Sequence, residues 1–258
     1  MGVKHLDEEP SSYGTGLILK DKTYQSTFEY QIERTVLPWE RPRKDYINSS
    51  KLLMRALPLK TMLISIVYAL IVGMISFFVW QGWFDSLAVS WNSLIQKAEW
   101  WRIFTAQFQH ADSKHLLNNL MPFVGLGWIL WGYFGFLAFP VVPVLAGAIA
   151  NLLAVLTYPP DVSVVGLSGT VFAMAGLWAA LYIKNDFRFG IGKRILRAAG
   201  FVLVLFFPLS WEQNVSDRVH IFGGIAGFAA GFAGWGRLRP HEVSVPSSSE
   251  EKARVRQI

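Results

Sequence analysis

The chain has 258 residues, of which 52% are hydrophobic, 15% aromatic and only 16% charged. So few charged residues cannot cover a water-facing surface, and the composition therefore predicts an integral membrane protein. The formal net charge of +6 is typical of the basic loops of such a protein, and no aromatic-and-basic patch indicates nucleic-acid binding. Since cysteine is absent, disulfides, thiol nucleophiles and cysteine-ligated metals are excluded.

The first 60 residues precede the first long apolar run. Their mixed charge and few aromatic residues fit either a small cytoplasmic domain or an extended tail. The start, "MGVKHLDEEPSSYG", lacks the apolar core of a signal peptide, so we expect the first membrane helix to direct insertion.

Runs without charged residues predict where the chain crosses the membrane, because a spanning helix needs about 20 apolar residues. The run 116–160 is long enough for two spans, with a turn near "WGYFGFLAFP". The run 198–211 reaches spanning length only if Ile195 joins it and Arg197 extends its charge to the headgroups. The other three runs cover residues 61–84, 162–183 and 219–236. The fold prediction is an all-α polytopic membrane protein, with a six-transmembrane-helix bundle over residues 61–237.

Lysine and arginine predict the orientation, because short cytoplasmic loops collect these residues. With the N-terminus inside, the cytoplasmic face receives twenty of them and the other face four. We therefore expect both termini in the cytoplasm, and we expect the membrane to be a bacterial inner membrane. The C-terminal tail, residues 238–258, is predicted to be disordered.

One serine stands at the entrance of an apolar segment, in "VVGLSGTVFAMAGLWAALYIK". Ser168 precedes Lys184 by 16 residues, or about 24 Å of helix. His220 precedes Arg237 by 17 residues, again about 25 Å. If both basic residues mark the cytoplasmic boundary, Ser168 and His220 reach the same depth below the outer surface.

The second predicted span carries two more polar side chains at that level. His115 lies at a similar distance above Trp131 and Tyr133, which resemble a cytoplasmic aromatic belt, and Asn119 is one turn below His115. Four polar side chains from three helices are thus expected to converge near the outer surface. Such groups within a membrane indicate function.

Other features have simpler interpretations. The small residues of the fourth and sixth spans are typical of close helix packing, which would bring His220 to Ser168. His110 is interpreted as a structural hydrogen-bonding residue. A metal site from His110 and His115 is disfavoured, since five residues apart on a helix they would point about 140° apart and no third ligand accompanies them. The packing stripes are Gly169, Ala173, Gly176 and Ala180, and Gly223, Gly227 and Gly231.

These residues resemble the rhomboid intramembrane serine proteases over residues 61–237. "EWWR", then "TAQFQHADSKHLLNN", "GLSG" and "HIFGGIAGFAAG" follow the order of the family's motifs. The resemblance implies that Ser168 is the nucleophile and His220 its base, with His115 and Asn119 in the oxyanion hole. Phe172 stands where well-studied relatives have tyrosine, so stacking on the histidine is retained and any phenol hydrogen bond is lost.

The chemistry agrees with these roles. A serine hydroxyl needs a neighbouring base, and the spans contain no Asp or Glu that could complete a triad, so a Ser168–His220 dyad is predicted. The Ser168 amide, Asn119 and His115 would meet the oxyanion. Gly166, Phe172 and Gly223 are assigned to packing around the site.

The predicted function is an intramembrane serine endopeptidase acting on transmembrane protein substrates in the lipid bilayer, with no cofactor and no metal. The resemblance implies a single-span substrate with small or helix-destabilising residues near its outer boundary. The alternative is an inactive rhomboid-like scaffold that binds membrane clients. A proton- or cation-coupled transporter is disfavoured because the spans carry no carboxylate. The sequence leaves the oligomeric state open.

Overall fold

The computed structural model describes residues 57, 59–206 and 217–233. The prediction of a tail or small domain over residues 1–60 therefore lies almost wholly outside the described residues. The predicted disordered tail, residues 238–258, lies outside them entirely.

Within the described residues the chain forms six long helices, which we number α1 to α6. Each coincides with one predicted span, although the ends differ by several residues. The helices are α1 (Leu59–Trp80), α2 (Ser113–Phe134), α3 (Val142–Thr157), α4 (Ser168–Asn185), α5 (Ile191–Phe206) and α6 (Asp217–Ala233). Shorter helical segments lie at Asn92–Gln96, Arg102–Thr105, Ala106–Phe108 and Leu137–Val141.

Local sequence explains several of the helix ends. The Asp112 side chain caps α2 by accepting a hydrogen bond from the His115 amide at 2.7 Å, which satisfies one of the free N–H groups of the first turn. Helix α3 stops at Tyr158, because Pro159 and Pro160 cannot continue it. Two residues of the predicted site follow these boundaries. His115 lies in the first turn of α2, and Ser168 is the first residue of α4.

Two helical segments of the described part are long and apolar enough to cross a membrane by themselves: Leu59–Trp80 and Leu137–Thr157. The other helices fall short on length or apolarity, and several carry polar residues of the predicted site. The count of six spans therefore stays a prediction.

Helices α4 and α6 pack in backbone contact. A Cβ on Gly223 would overlap the carbonyl oxygen of Gly169, and one on Gly227 would overlap that of Ala173. Only glycine allows this approach, so the predicted packing role of the glycine stripe is confirmed. Helix α4 is the most enclosed of the six, with buried side chains on most of its turns.

The segment between α1 and α2 contains a short strand that sequence analysis did not predict. Strand β1 (Val89–Ser90) pairs antiparallel with β2 (Ser163–Val164), with Val89 opposite Val164. Arg102 forms an ion pair with Glu99 at 2.6 Å and donates to the carbonyls of Ser86 and Ala88. The pairing joins this segment to the chain entering α4, just before Ser168.

Candidate active site

Ser168 is the first residue of α4 and is 6% exposed. The backbone before it turns at Gly166, whose φ of +117° favours glycine. Two hydrogen bonds hold this turn. The Gly166 amide donates to the carbonyl of Ala106 at 2.9 Å, and the Leu167 amide donates to Nε2 of His110 at 3.2 Å. The position of Ser168 is therefore set by residues between α1 and α2.

His220 lies in the first turn of α6, and its ring stacks on Phe172. The ring centroids are 4.0 Å apart and the planes differ by 7°. Phe172 is one turn after Ser168 on α4, so the stack places the imidazole beside the first turn of that helix. Val219, the residue before His220, also packs closely on α4, since a Cβ on Gly169 would lie 2.8 Å from Cγ1 of Val219.

The Nε2 atom of His220 is buried and has no hydrogen-bond partner within the described part of the chain. The hydrogen bond from the Ser168 hydroxyl to this nitrogen is therefore not formed in the structure. A buried, uncharged imidazole nitrogen is a proton acceptor, and a hydroxyl brought within about 3 Å would be its natural donor.

His115 and Asn119 lie one turn apart near the start of α2. The His115 ring is against the Gly166 turn, where a Cβ would lie 3.0 Å from its Cε1. Asn119 is 4% exposed, and its Nδ2 donates to the His115 carbonyl at 3.0 Å. An amide nitrogen carries two hydrogens, so this bond leaves the second one for another acceptor.

His110 is fully buried and makes structural hydrogen bonds, as predicted. Its Nε2 accepts from the Leu167 amide, so its proton belongs on Nδ1, which is 3.2 Å from the Ser76 hydroxyl. The Ser76 hydroxyl in turn donates to the Phe108 carbonyl at 3.0 Å. This chain of bonds selects one tautomer of His110.

The predicted geometry of His110 and His115 is wrong. His110 lies before α2 rather than on it, and the two rings are 5.1 Å apart in an edge-to-face arrangement. The 140° separation assumed one continuous helix through both residues, but α2 begins only after its cap at Asp112. Among the described residues, no group of three or more His, Cys, Asp or Glu side chains could hold a metal.

A family model described as the Rhomboid domain matches residues 97–237, which is more than half of the chain. The chain belongs to the rhomboid family. Rhomboid proteins have a helical polytopic membrane fold. The match contains Ser168, His220, His115 and Asn119 and leaves α1 outside.

Three members of the rhomboid family show the extent of similarity. "Putative rhomboid protease YdcA" of Bacillus subtilis is 29% identical over 152 residues, covering 58% of this chain and 74% of the relative. "Rhomboid protease GluP" of the same organism is 32% identical over 144 residues, 55% of this chain and 27% of the relative. "RHOMBOID-like protein 6, mitochondrial" of Arabidopsis thaliana is 26% identical over 176 residues, 66% of this chain and 55% of the relative. The chain spans about half the length of the plant relatives it matches.

Two side chains around the candidate site were not predicted from the sequence. Gln107 is buried and joins three elements: it accepts from the Thr170 hydroxyl and donates to the Val144 carbonyl at 3.3 Å. Phe206 of α5 stacks on Phe172, on which His220 also stacks. For Gln107 the only sequence signal was a glutamine within the stretch "FTAQFQ". For Phe206 no signal distinguished it from the other apolar residues of α5.

Proposed function

We propose that this rhomboid-family protein is an intramembrane serine endopeptidase, with Ser168 as nucleophile and His220 as general base. The observation that carries the proposal is the stack of His220 on Phe172, one turn from Ser168, with Nε2 buried and without a partner in the described residues. An imidazole held in this way can accept a proton at Nε2.

In the proposed reaction, Nε2 of His220 takes the proton of the Ser168 hydroxyl while Oγ attacks the carbonyl carbon of the substrate. The tetrahedral intermediate then collapses, and the protonated His220 gives its proton to the departing amine. A water molecule, activated by the same nitrogen, hydrolyses the acyl-enzyme. Because the Ser168–His220 hydrogen bond is absent from the structure, a shift of the hydroxyl toward Nε2 must precede attack.

The oxyanion would be stabilised by donors around the start of α4. The Ser168 amide has no acceptor inside its own helix, because it belongs to the first turn. The second Nδ2 hydrogen of Asn119 and the ring of His115 complete the set that we propose. The contact of His115 with the Gly166 turn supports its membership.

The dyad should suffice without a carboxylate. Asp217 is the first residue of α6, one turn before His220, and is exposed. Stacking on Phe172 takes over the orienting role that a third triad residue has elsewhere.

The names of two bacterial relatives, "Putative rhomboid protease YdcA" and "Rhomboid protease GluP", support peptidase activity. We propose that this chain has the same kind of activity and that it cleaves peptide bonds in or near the transmembrane segments of membrane proteins. The substrate is a single-span protein whose helix unwinds readily near the outer surface, because Ser168 lies at a buried helix start and the scissile bond must reach it in extended form.

An inactive scaffold that binds membrane clients is the second candidate. The missing Ser168–His220 hydrogen bond favours it, since a scaffold needs no proton transfer. The presence of both residues favours the peptidase.

For topology, we propose six membrane spans at α1 to α6 and both termini in the cytoplasm of a bacterial cell, from the distribution of lysine and arginine. Proteolysis of tags at the two ends in oriented vesicles tests this. Protection of one tag and cleavage of the other would contradict an even number of spans.

Labelling by a fluorophosphonate serine probe tests the dyad. The purified full chain should become labelled, whereas Ser168→Ala and His220→Ala should not. Ser163→Ala is the matched control, because Ser163 is exposed in β2 and should leave labelling unchanged. Cleavage of a reporter transmembrane helix then separates the candidates: a scaffold would bind the reporter without cutting it.

A further inference from the structure

Three aromatic rings form one stack at the proposed active site. The Phe206 and Phe172 centroids are 4.0 Å apart with planes at 23°, and the Phe172 and His220 centroids are 4.0 Å apart with planes at 7°. Phe172 is therefore covered on both faces, by a ring from α5 on one side and by His220 on the other. Phe206 is 8% exposed.

The stack matters because little else fixes the imidazole of His220. Its Nε2 has no hydrogen-bond partner in the described residues, so packing sets the orientation of the ring. Phe172 has no hydroxyl that could anchor it, and without a neighbour on its second face it could tilt away from His220. Phe206 fills that second face.

We propose that Phe206 is a positioning residue that keeps Phe172 parallel to His220, and so holds Nε2 in the orientation that accepts the Ser168 proton. This inference rests on the proposed peptidase function. It assigns to α5 a residue that acts on catalysis through another side chain, without contact with substrate.

A second phenylalanine of α5 provides a comparison. Phe201 packs on Trp178, with ring centroids 4.1 Å apart, and like Phe206 it joins α5 to α4. Its partner lies ten residues beyond Ser168 along α4, which is nearly three turns away. If the two phenylalanines only fasten α5 to α4, their replacement should have the same effects.

Kinetics on a reporter transmembrane substrate compare Phe206→Leu, Phe206→Tyr and Phe201→Leu in the full chain. We expect Phe206→Leu to lower kcat about three- to tenfold with KM little changed, since one aromatic stack is lost. Phe206→Tyr keeps the ring and should retain kcat. Phe201→Leu should lower the melting temperature and leave kcat intact. Phe206→Met replaces Phe206→Leu if the latter cannot be purified folded.

A measurement independent of activity uses ¹³C-histidine-labelled protein in the Ser168→Ala background, with His220 assigned through His220→Gln. Phe206→Leu should shift or broaden the Cε1–H signal of His220, and Phe201→Leu should not. An unchanged His220 signal, or equal effects of Phe206→Leu and Phe201→Leu on kcat, would overturn the inference. If the wild type cleaves nothing, the peptidase proposal fails, and the His220 signal alone still decides whether Phe206 orients this ring.

Discussion

Nε2 of His110 lies 3.2 Å from the backbone nitrogen of Leu167 and accepts its hydrogen bond. This contact ties a residue before α2 to the residue immediately before Ser168. Since the Leu167 amide is buried and belongs to a helix start, it has no acceptor within α4. His110 thus supplies the hydrogen-bond acceptor that the Leu167 amide does not find within α4.

We predict that His110→Ala lowers the free energy of unfolding by about 1–3 kcal/mol, the cost of leaving a buried donor without an acceptor. Fluorophosphonate labelling of Ser168 should also slow, because the turn before it loses its anchor. Ser76→Ala should slow labelling less, since it removes the partner of Nδ1 and keeps the acceptor for Leu167. Thermal unfolding in detergent and labelling rates measure both. Equal stability of wild type and His110→Ala would contradict the anchoring role.

Gly227→Ala should separate α6 from α4. Its Cβ would overlap the carbonyl of Ala173, which is backbone and cannot move aside, so we expect a loss of about 1–3 kcal/mol of stability and a fall in reporter cleavage. Gly224→Ala is the matched control on the same helix, because nothing lies within 4 Å of its Cβ. The control should be neutral or slightly stabilising, as alanine favours helix. Similar melting temperatures for the two variants would argue against the close packing.

Asn119→Ala and His115→Ala test the oxyanion donors. If each donates to the developing charge, each change should lower kcat about 10²–10³-fold with KM little changed. The double variant should lose less than the product, because both serve one charge and the Ser168 amide still contributes. The bond from Asn119 to the His115 carbonyl offers a structural role instead. A lower melting temperature with kcat intact in Asn119→Ala would remove Asn119 from the site.

Asp186, which follows the last residue of α4, is expected to make the stability of the protein depend on pH. Burial by itself raises the pKa of the Asp186 carboxyl, but hydrogen bonds from Arg188 and Tyr182 outweigh it and leave the pKa below its ordinary value of 3.8. Asp186 is fully buried and binds Arg188 through both oxygens, at 2.6 and 2.7 Å. A lowered pKa in the folded state stabilises the fold above the unfolded value, and this contribution is lost as the pH falls through the folded value.

We therefore expect wild-type protein to lose melting temperature below about pH 4 more steeply than Asp186→Asn. At pH 7 the variant should be less stable by about 1–3 kcal/mol, because Arg188 loses a charged partner. Melting curves between pH 3 and pH 7 give both values. Parallel curves for the two proteins would contradict the lowered pKa of Asp186, and coincident curves would show that the ion pair contributes nothing to stability.

Much of this protein was predictable because the relevant signals are local. Charge-free runs mark the helices, since each span must satisfy its own backbone in lipid. The order of "EWWR", "GLSG" and "HIFGG" identified the rhomboid family. The helical rise predicted a shared depth for Ser168 and His220, and that depth stays a prediction. The glycines of α6 predicted close packing because their spacing of four puts them on one face.

The tertiary structure alone decided how distant segments meet. It brought His110 out of the helix and next to His115, paired Val89 with Val164, and placed Phe206 against Phe172. None of these contacts leaves a trace in periodicity, because each depends on where a helix begins or how two helices cross. It also left Nε2 of His220 without a bond to Ser168, and that detail depends on side-chain orientations within about an ångström, which no spacing of residues along the chain can specify.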